Sequence, residues 1–168
     1  MHISIEGLPA LGKTEILAVV RLYYSDQVVV LPELVKEVAE QEEIDLFRER
    51  DRLSKAIWAA LPERERRIRD ALAAGKAVLE ESHLGVHAAY AAALGDRTFL
   101  AQFQEREADL SWPTMFLRFA APIPVSLTRQ AARGDPRYTV PADVLERMLS
   151  WLDNWHAHRR SDLRAVEA

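Results

Sequence analysis

The chain has 168 residues, of which 49% are apolar and 29% charged, with 22 Lys and Arg against 26 Asp and Glu and no cysteine. That length and balance predict one domain spanning 1–168 with a substantial core, and exclude wholesale disorder. A net charge of −4 gives no basic surface for nucleic acid or an anionic membrane, and the missing thiols exclude disulfides, thiol catalysis, Fe–S clusters and Cys-based zinc sites.

His2 to Glu6 reads as a short buried strand closed by Gly7. No basic flank or apolar signal segment precedes it, and no apolar run in the chain approaches the ~18 residues of a membrane span, so the expected compartment is the cytoplasm. From Lys13 to Tyr24 the apolar positions Ile16, Leu17, Val20 and Tyr24 fall at helical spacing. Gln27 to Leu31 is a second strand, its three valines suited to a strand covered on both faces. Residues 33–61 are read as two helical segments. Pro62, at a first-turn position, is expected to open a further helix that stops at Gly75.

Lys76 to Glu80 is the third strand. His83 to Leu94 is an Ala-rich helix suited to close packing against the sheet or a second copy of the chain, and Thr98 to Leu110 is another helix. Pro113 to Ala120 is the fourth strand. A helix follows Pro122 and Pro124 to about Gly134, then a polar loop, then the helix Ala142 to Arg159. Leu163 to Glu167 leaves two readings, an abbreviated fifth strand or none. Strands alternating with helices make this an α/β domain, a parallel sheet of four or five strands flanked by helices in three layers.

The segment Gly7-Leu8-Pro9-Ala10-Leu11-Gly12-Lys13-Thr14 matches G-x-x-x-x-G-K-[ST] between a strand and a helix, the P-loop context. Its glycines let backbone N–H groups curl around an anion, and the following helix turns its positive end to the same point. Lys13 supplies a mobile charge for the β- and γ-phosphates of ATP, and Thr14 a hydroxyl for Mg²⁺.

Farther along, Arg129 and Arg133 stand one turn apart, and Arg137 follows in the loop, as a basic lid over about 129–141 would require. Acids stand at two strand ends, Glu33 after the second and Glu80 and Glu81 closing the third. Ligands of parallel sheets bind there, and a carboxylate can take a hydroxyl proton or hold Mg²⁺. His83 is a further candidate lining residue, whereas His87 reads as structural. His156 and His158 read as dipole partners or surface, Trp58, Trp151 and Trp155 as core, and the Arg64 to Arg69 cluster as a solvated helix face.

The order GLPALGKT, a strand ending in PE, AGKAVLEES followed by HAAY, and LTRQAARGDPRY resembles the deoxynucleoside kinases and thymidylate kinases across most of the chain. The resemblance implies a P-loop kinase fold, ATP with Mg²⁺ as donor, a small-molecule hydroxyl acceptor and pairing of two copies through helices. By the same resemblance Lys13 and Thr14 hold phosphate and Mg²⁺. Glu33 corresponds to the base on the acceptor hydroxyl, and Glu80 to the acid of a Glu/Asp-Arg-[Ser/Tyr/His] motif, ligating Mg²⁺. Arg129, Arg133 and Arg137 correspond to the lid arginines, and Glu80, Glu81 and His83 join Glu33 around the acceptor. In this register Glu81 replaces the motif's Arg. That reversal disfavours an acceptor already bearing phosphate and favours an uncharged or cationic one, a nucleoside or an amine-bearing natural product. A nucleotide-binding module without transfer is the reading from another class.

Overall fold

Pairing β-rich runs that carry few polar interruptions yields a five-stranded, wholly parallel sheet. The protein is described by a computed structural model that covers residues 1–136 and 139–168. The strands are β1 (His2–Gly7), β2 (Val28–Leu31), β3 (Ala77–Glu81), β4 (Met115–Ala120) and β5 (Leu163–Glu167), arranged in space as β2-β3-β1-β4-β5. Leu163–Glu167 pairs with β4, so the five-stranded reading is the correct one.

The helices are α1 (Lys13–Tyr24), α2 (Leu34–Gln41), α3 (Arg50–Ala73), α4 (Leu84–Leu94), α5 (Arg97–Arg106), α6 (Ile123–Arg133) and α7 (Ala142–Arg159). A parallel sheet needs a crossover between its strands, and these helices supply it on both faces. The main core joins Ile5, Phe116 and Phe119 of the sheet to Ile57, Phe99, Phe103, Leu145 and Leu152 of the helices. Gly85 lets α4 lie directly on α7, since a Cβ there would come within 2.4 Å of the Trp155 ring. Ala88, Ala89, Ala91 and Ala93 are buried in the same layer. The Ala-rich surface expected against the sheet or a second copy is thus covered within the chain.

Pro62 does not open a helix. It lies inside α3, which runs unbroken from Arg50 to Ala73. Proline forfeits one backbone hydrogen bond there, but burial of Leu53, Ala56 and Ile57 before it and Ile68 and Ala71 after it holds both halves in one rod. Arg64 and His156, read as solvated or surface, are buried. His156 shares a 2.9 Å hydrogen bond with the buried Glu6 carboxylate. Among the described residues, no helix is long and apolar enough to cross a membrane.

Candidate functional site

The carboxyl ends of β1, β2 and β3 come together around a cavity of about 440 Å³. The turn after β1 forms one wall. Gly7 has φ +134°, and a Cβ would come within 2.5 Å of the Phe119 carbonyl oxygen, so only glycine admits this approach to β4. Gly12, at φ +87°, caps α1 in the left-handed conformation that glycine adopts without steric cost. Ala10 and Ser82, neither a glycine, also hold positive φ, at 60° and 61°, and both line the cavity. Such strain is tolerated where surrounding structure fixes it, commonly at binding sites.

Lys13 is buried at the base of this turn. Its Nζ donates to the carbonyls of Leu8 at 2.8 Å and Gly7 at 3.1 Å. Burial pulls its pKa below the ordinary lysine value, against the opposing pull of Glu33. Thr14 Oγ1 donates to Glu81 Oε1 at 2.7 Å. That pair of hard oxygens, with room for waters and phosphate oxygens, suits Mg²⁺, which takes few protein ligands.

Strand parity decides which acid reaches Thr14. Ser4 pairs with Glu80, and Ile5 with Glu81, so the two glutamates leave the sheet on opposite faces. Glu80 is buried on the other face. It shares a 3.0 Å hydrogen bond with His2 Nε2 and lies 3.5 Å from Arg64 Nη2. Burial alone would raise its pKa, but the His2 hydrogen bond and neighbouring cations hold it below the usual carboxylate value. Glu80 is therefore separated from Thr14, and Glu81 stands in the position expected of it. The physical reason is the register of β3, which spans Ala77–Glu81 and sets Glu81 opposite Ile5, so that side-chain alternation turns Glu81 toward Thr14 and Glu80 away.

His83 also lies outside the main cavity. Its Nδ1 accepts from the Gly85 N–H at 3.1 Å as the cap of α4, and its ring packs on Trp112 and Trp155. With Glu80 and Arg64 it borders a separate space of only about 20 Å³. One turn onward His87 lines the main cavity beside Tyr90. Withdrawal from water lowers His87 to about 4 and raises Tyr90, so both rings are uncharged at neutral pH. Their i, i+3 spacing on one helix face was the signal for this wall, which the sequence reading gave to His83.

Glu33 lines the cavity at the start of α2, and its Oε2 lies 2.7 Å from Lys36 Nζ. Arg133 lines it from the end of α6, with Nη2 donating to Glu15 Oε1 at 2.8 Å. Arg129 is exposed on α6 and does not line the cavity, and Arg137 lies outside the described residues. Apolar walls come from Val35, Leu46, Phe47, Val86 and Leu94. Tyr90 and Gln130 fall inside the HAAY and LTRQAARGDPRY segments without a role of their own there, and Lys36 and Phe47 stand outside those motifs, although Lys36 at i+3 from Glu33 is a legible helix pair.

Gln130 ties the far wall together. Its Nε2 donates to Ser126 Oγ at 3.1 Å, and Ser126 Oγ donates to the Pro9 carbonyl at 2.8 Å. Gln130 Oε1 accepts from the Val140 N–H at 2.7 Å. The turn after β1, helix α6 and the chain entering α7 are thereby joined through buried groups.

No family profile matches the sequence, and no curated protein matches it. Solved structures do match. A structure of deoxyadenosine kinase from M. mycoides with the products dCMP and a flexible dCDP aligns with a TM-score of 0.72 at 14% identity, covering 99% of this chain and 90% of that one. A second structure of that enzyme, with bound dCTP, gives a TM-score of 0.67 at 16% identity over the same shares. The chain thus has the fold of those nucleoside kinase structures, a five-stranded parallel sheet flanked by helices.

Proposed function

We propose that the protein is an ATP-dependent kinase that transfers a phosphoryl group to the hydroxyl of a nucleoside-like small molecule. One observation carries this reading. Lys13, Thr14, Glu33 and Arg133 line a single cavity, and Glu81 joins them through its hydrogen bond with Thr14, so that three separate elements and the turn before α2 contribute to one site. A module that only bound nucleotide with Mg²⁺ would need Lys13, Thr14 and Glu81, but not Glu33 and Arg133. The likeness to deoxyadenosine kinase structures supports the same reading at the level of the fold.

In this reading the turn after β1 binds the ATP phosphates with its N–H groups and Lys13. Thr14 and Glu81 hold Mg²⁺, which supplies charge neutralisation of the phosphates and a template for their oxygens. The acceptor lies against Phe47, His87 and Tyr90 with its hydroxyl toward Glu33. The hydroxyl oxygen forms a bond to the γ-phosphorus as the bond to the bridging oxygen of ADP breaks, and the hydroxyl proton passes to the Glu33 carboxylate. Arg133 exchanges its exposed Glu15 for the transferring charge.

Two assignments move with the geometry. Mg²⁺ ligation passes from Glu80 to Glu81. The motif acid is then Glu81, and its Arg position falls on Ser82 rather than on Glu81. A site without that arginine favours an acceptor that brings no phosphate of its own. It also supports the second reading, transfer to a natural product on the same fold. Incubation with ATP, Mg²⁺ and separate pools of nucleosides, nucleoside monophosphates and hydroxyl-bearing natural products, read by mass spectrometry, tests the proposal. Phosphorylated nucleoside is the expected product. Turnover of the natural-product pool alone selects the second reading, and nucleotide binding without turnover of any pool selects the binding module.

A further inference from the structure

Lys36 lines the cavity and has no task in the mechanism above. It sits one turn into α2, its ammonium 2.7 Å from Glu33 Oε2 and half-buried. The same ammonium lies within electrostatic reach of Lys13, Glu81 and Arg133. It is thus paired with the carboxylate assigned to the acceptor hydroxyl and lines the same cavity as Lys13 and Arg133.

Charge balance gives that position a meaning. In the kinase reading Mg²⁺ held at Thr14 and Glu81 would offset the Glu81 charge, which leaves the Glu33 carboxylate as the anion that the γ-phosphate must approach. It would repel that group by an amount that grows as water is excluded. Lys13 answers part of that repulsion, and Arg133 answers another part only from an exposed position where it is engaged by Glu15. The strand-end motif supplies no further cation, since Ser82 follows Glu81. Lysine is suited to supply it, being a compact charge on a flexible four-carbon stem that can exchange partners without moving the backbone.

We propose that Lys36 is a phosphate-binding residue that exchanges partners during the reaction cycle. In the empty site it neutralises Glu33. When ATP enters, its ammonium turns to the γ-phosphoryl oxygens and leaves Glu33 unpaired for the acceptor hydroxyl. This rests on the kinase reading above and adds to it a γ-phosphate contact and a reason why Glu33 becomes available only when donor is bound. Burial acts to lower the Lys36 pKa, but Glu33 outweighs it and holds the amine above its ordinary value, so the charge is present while the two are paired.

The alternative is that Lys36 only fixes the Glu33 rotamer. Binding of ATP and of ADP, each with Mg²⁺ and without acceptor, separates the two by titration calorimetry of the full chain. Lys36→Met is expected to lose about tenfold or more in ATP affinity while ADP affinity stays within about twofold, because only ATP carries the group that Lys36 contacts. Lys36→Arg is expected to retain most of the preference for ATP, and Glu33→Gln to raise ATP affinity, since it removes the competing partner of Lys36. If Lys36→Met keeps the wild-type ratio of ATP to ADP affinity, the proposal is overturned and the kinase reading stands. Equal wild-type affinity for ATP and ADP overturns it as well, there being no γ-phosphate contact to lose. A wild-type chain that binds neither nucleotide overturns the kinase reading itself. Thermal melts establish that the variants fold, and Lys36→Gln takes the place of Lys36→Met if that variant does not.

Discussion

Adjacent residues on one strand carry different predictions here. Glu81 touches Thr14, and Glu80 touches His2 and Arg64 on the opposite face of the sheet. Glu81→Gln should lower the transfer rate by at least tenfold with little change in melting temperature, since it weakens the proposed Mg²⁺ site and no buried ion pair. Glu80→Ala should do the reverse, costing about 3–5 kcal/mol because Arg64 is left buried without that partner. Kinetics and denaturant titration of the two variants check the pair. Glu33→Gln should reduce kcat about 10²- to 10⁴-fold as a lost general base. His87 makes a pH prediction. The unfolded chain takes up its proton near 6.5, and the folded protein only near about 4. Between those values the unfolded state binds more protons, so stability falls as pH drops through the window, by up to ~1.4 kcal/mol per pH unit, and is level above it. Unfolding curves across that window should show the slope in the wild type and a shallower one in His87→Gln. Equal slopes would remove His87 as the cause.

At the scale of elements, the strand-turn-helix around GLPALGKT was legible because glycine, lysine and threonine spacing encodes a backbone shape. The helix Ala142–Arg159 was legible because its amphipathic period is long. The acid assignment was not, for a physical reason. β3 is covered on both faces, so Ala77, Val78 and Leu79 show no alternation from which to read parity. Which of the two adjacent acids faces the P-loop is set by the pairing of β3 with β1, Ile5 opposite Glu81, and that register cannot be read from β3 itself. His83 and His87 illustrate the same limit on a helix. Spacing grouped them, but only the direction of α4 from its cap decides which ring meets the cavity. Pro62 misled because a local rule was outweighed by tertiary burial on both sides of it. That conflict predicts a gain. Pro62 is exposed within α3, so Pro62→Ala should restore a backbone hydrogen bond and stabilise the protein by roughly 1–3 kcal/mol, read as a higher melting temperature. The added freedom of the unfolded chain offsets part of this.

Across the whole molecule, the parallel sheet delivers the P-loop, Glu33 and Glu81 to one end, and α4 and α6 close the cavity around them. The fold class followed from strand and helix alternation. The cavity's walls did not, because Leu46, Phe47, His87, Tyr90 and Gln130 come from three separate stretches with no shared motif. Charged residues of both signs and the apolar Val35, Phe47, Val86 and Leu94 line one cavity, a mixture suited to a phosphate donor meeting an organic acceptor. The most direct measurement is transfer of the labelled γ-phosphoryl group of ATP into a nucleoside pool, with Lys13→Ala beside the wild type. The account predicts a nucleoside product heavier by one phosphoryl group, formed by the wild type and reduced by orders of magnitude in the variant. Undiminished transfer by Lys13→Ala, or ATP binding by the wild type with no phosphorylated acceptor from any pool, would contradict it.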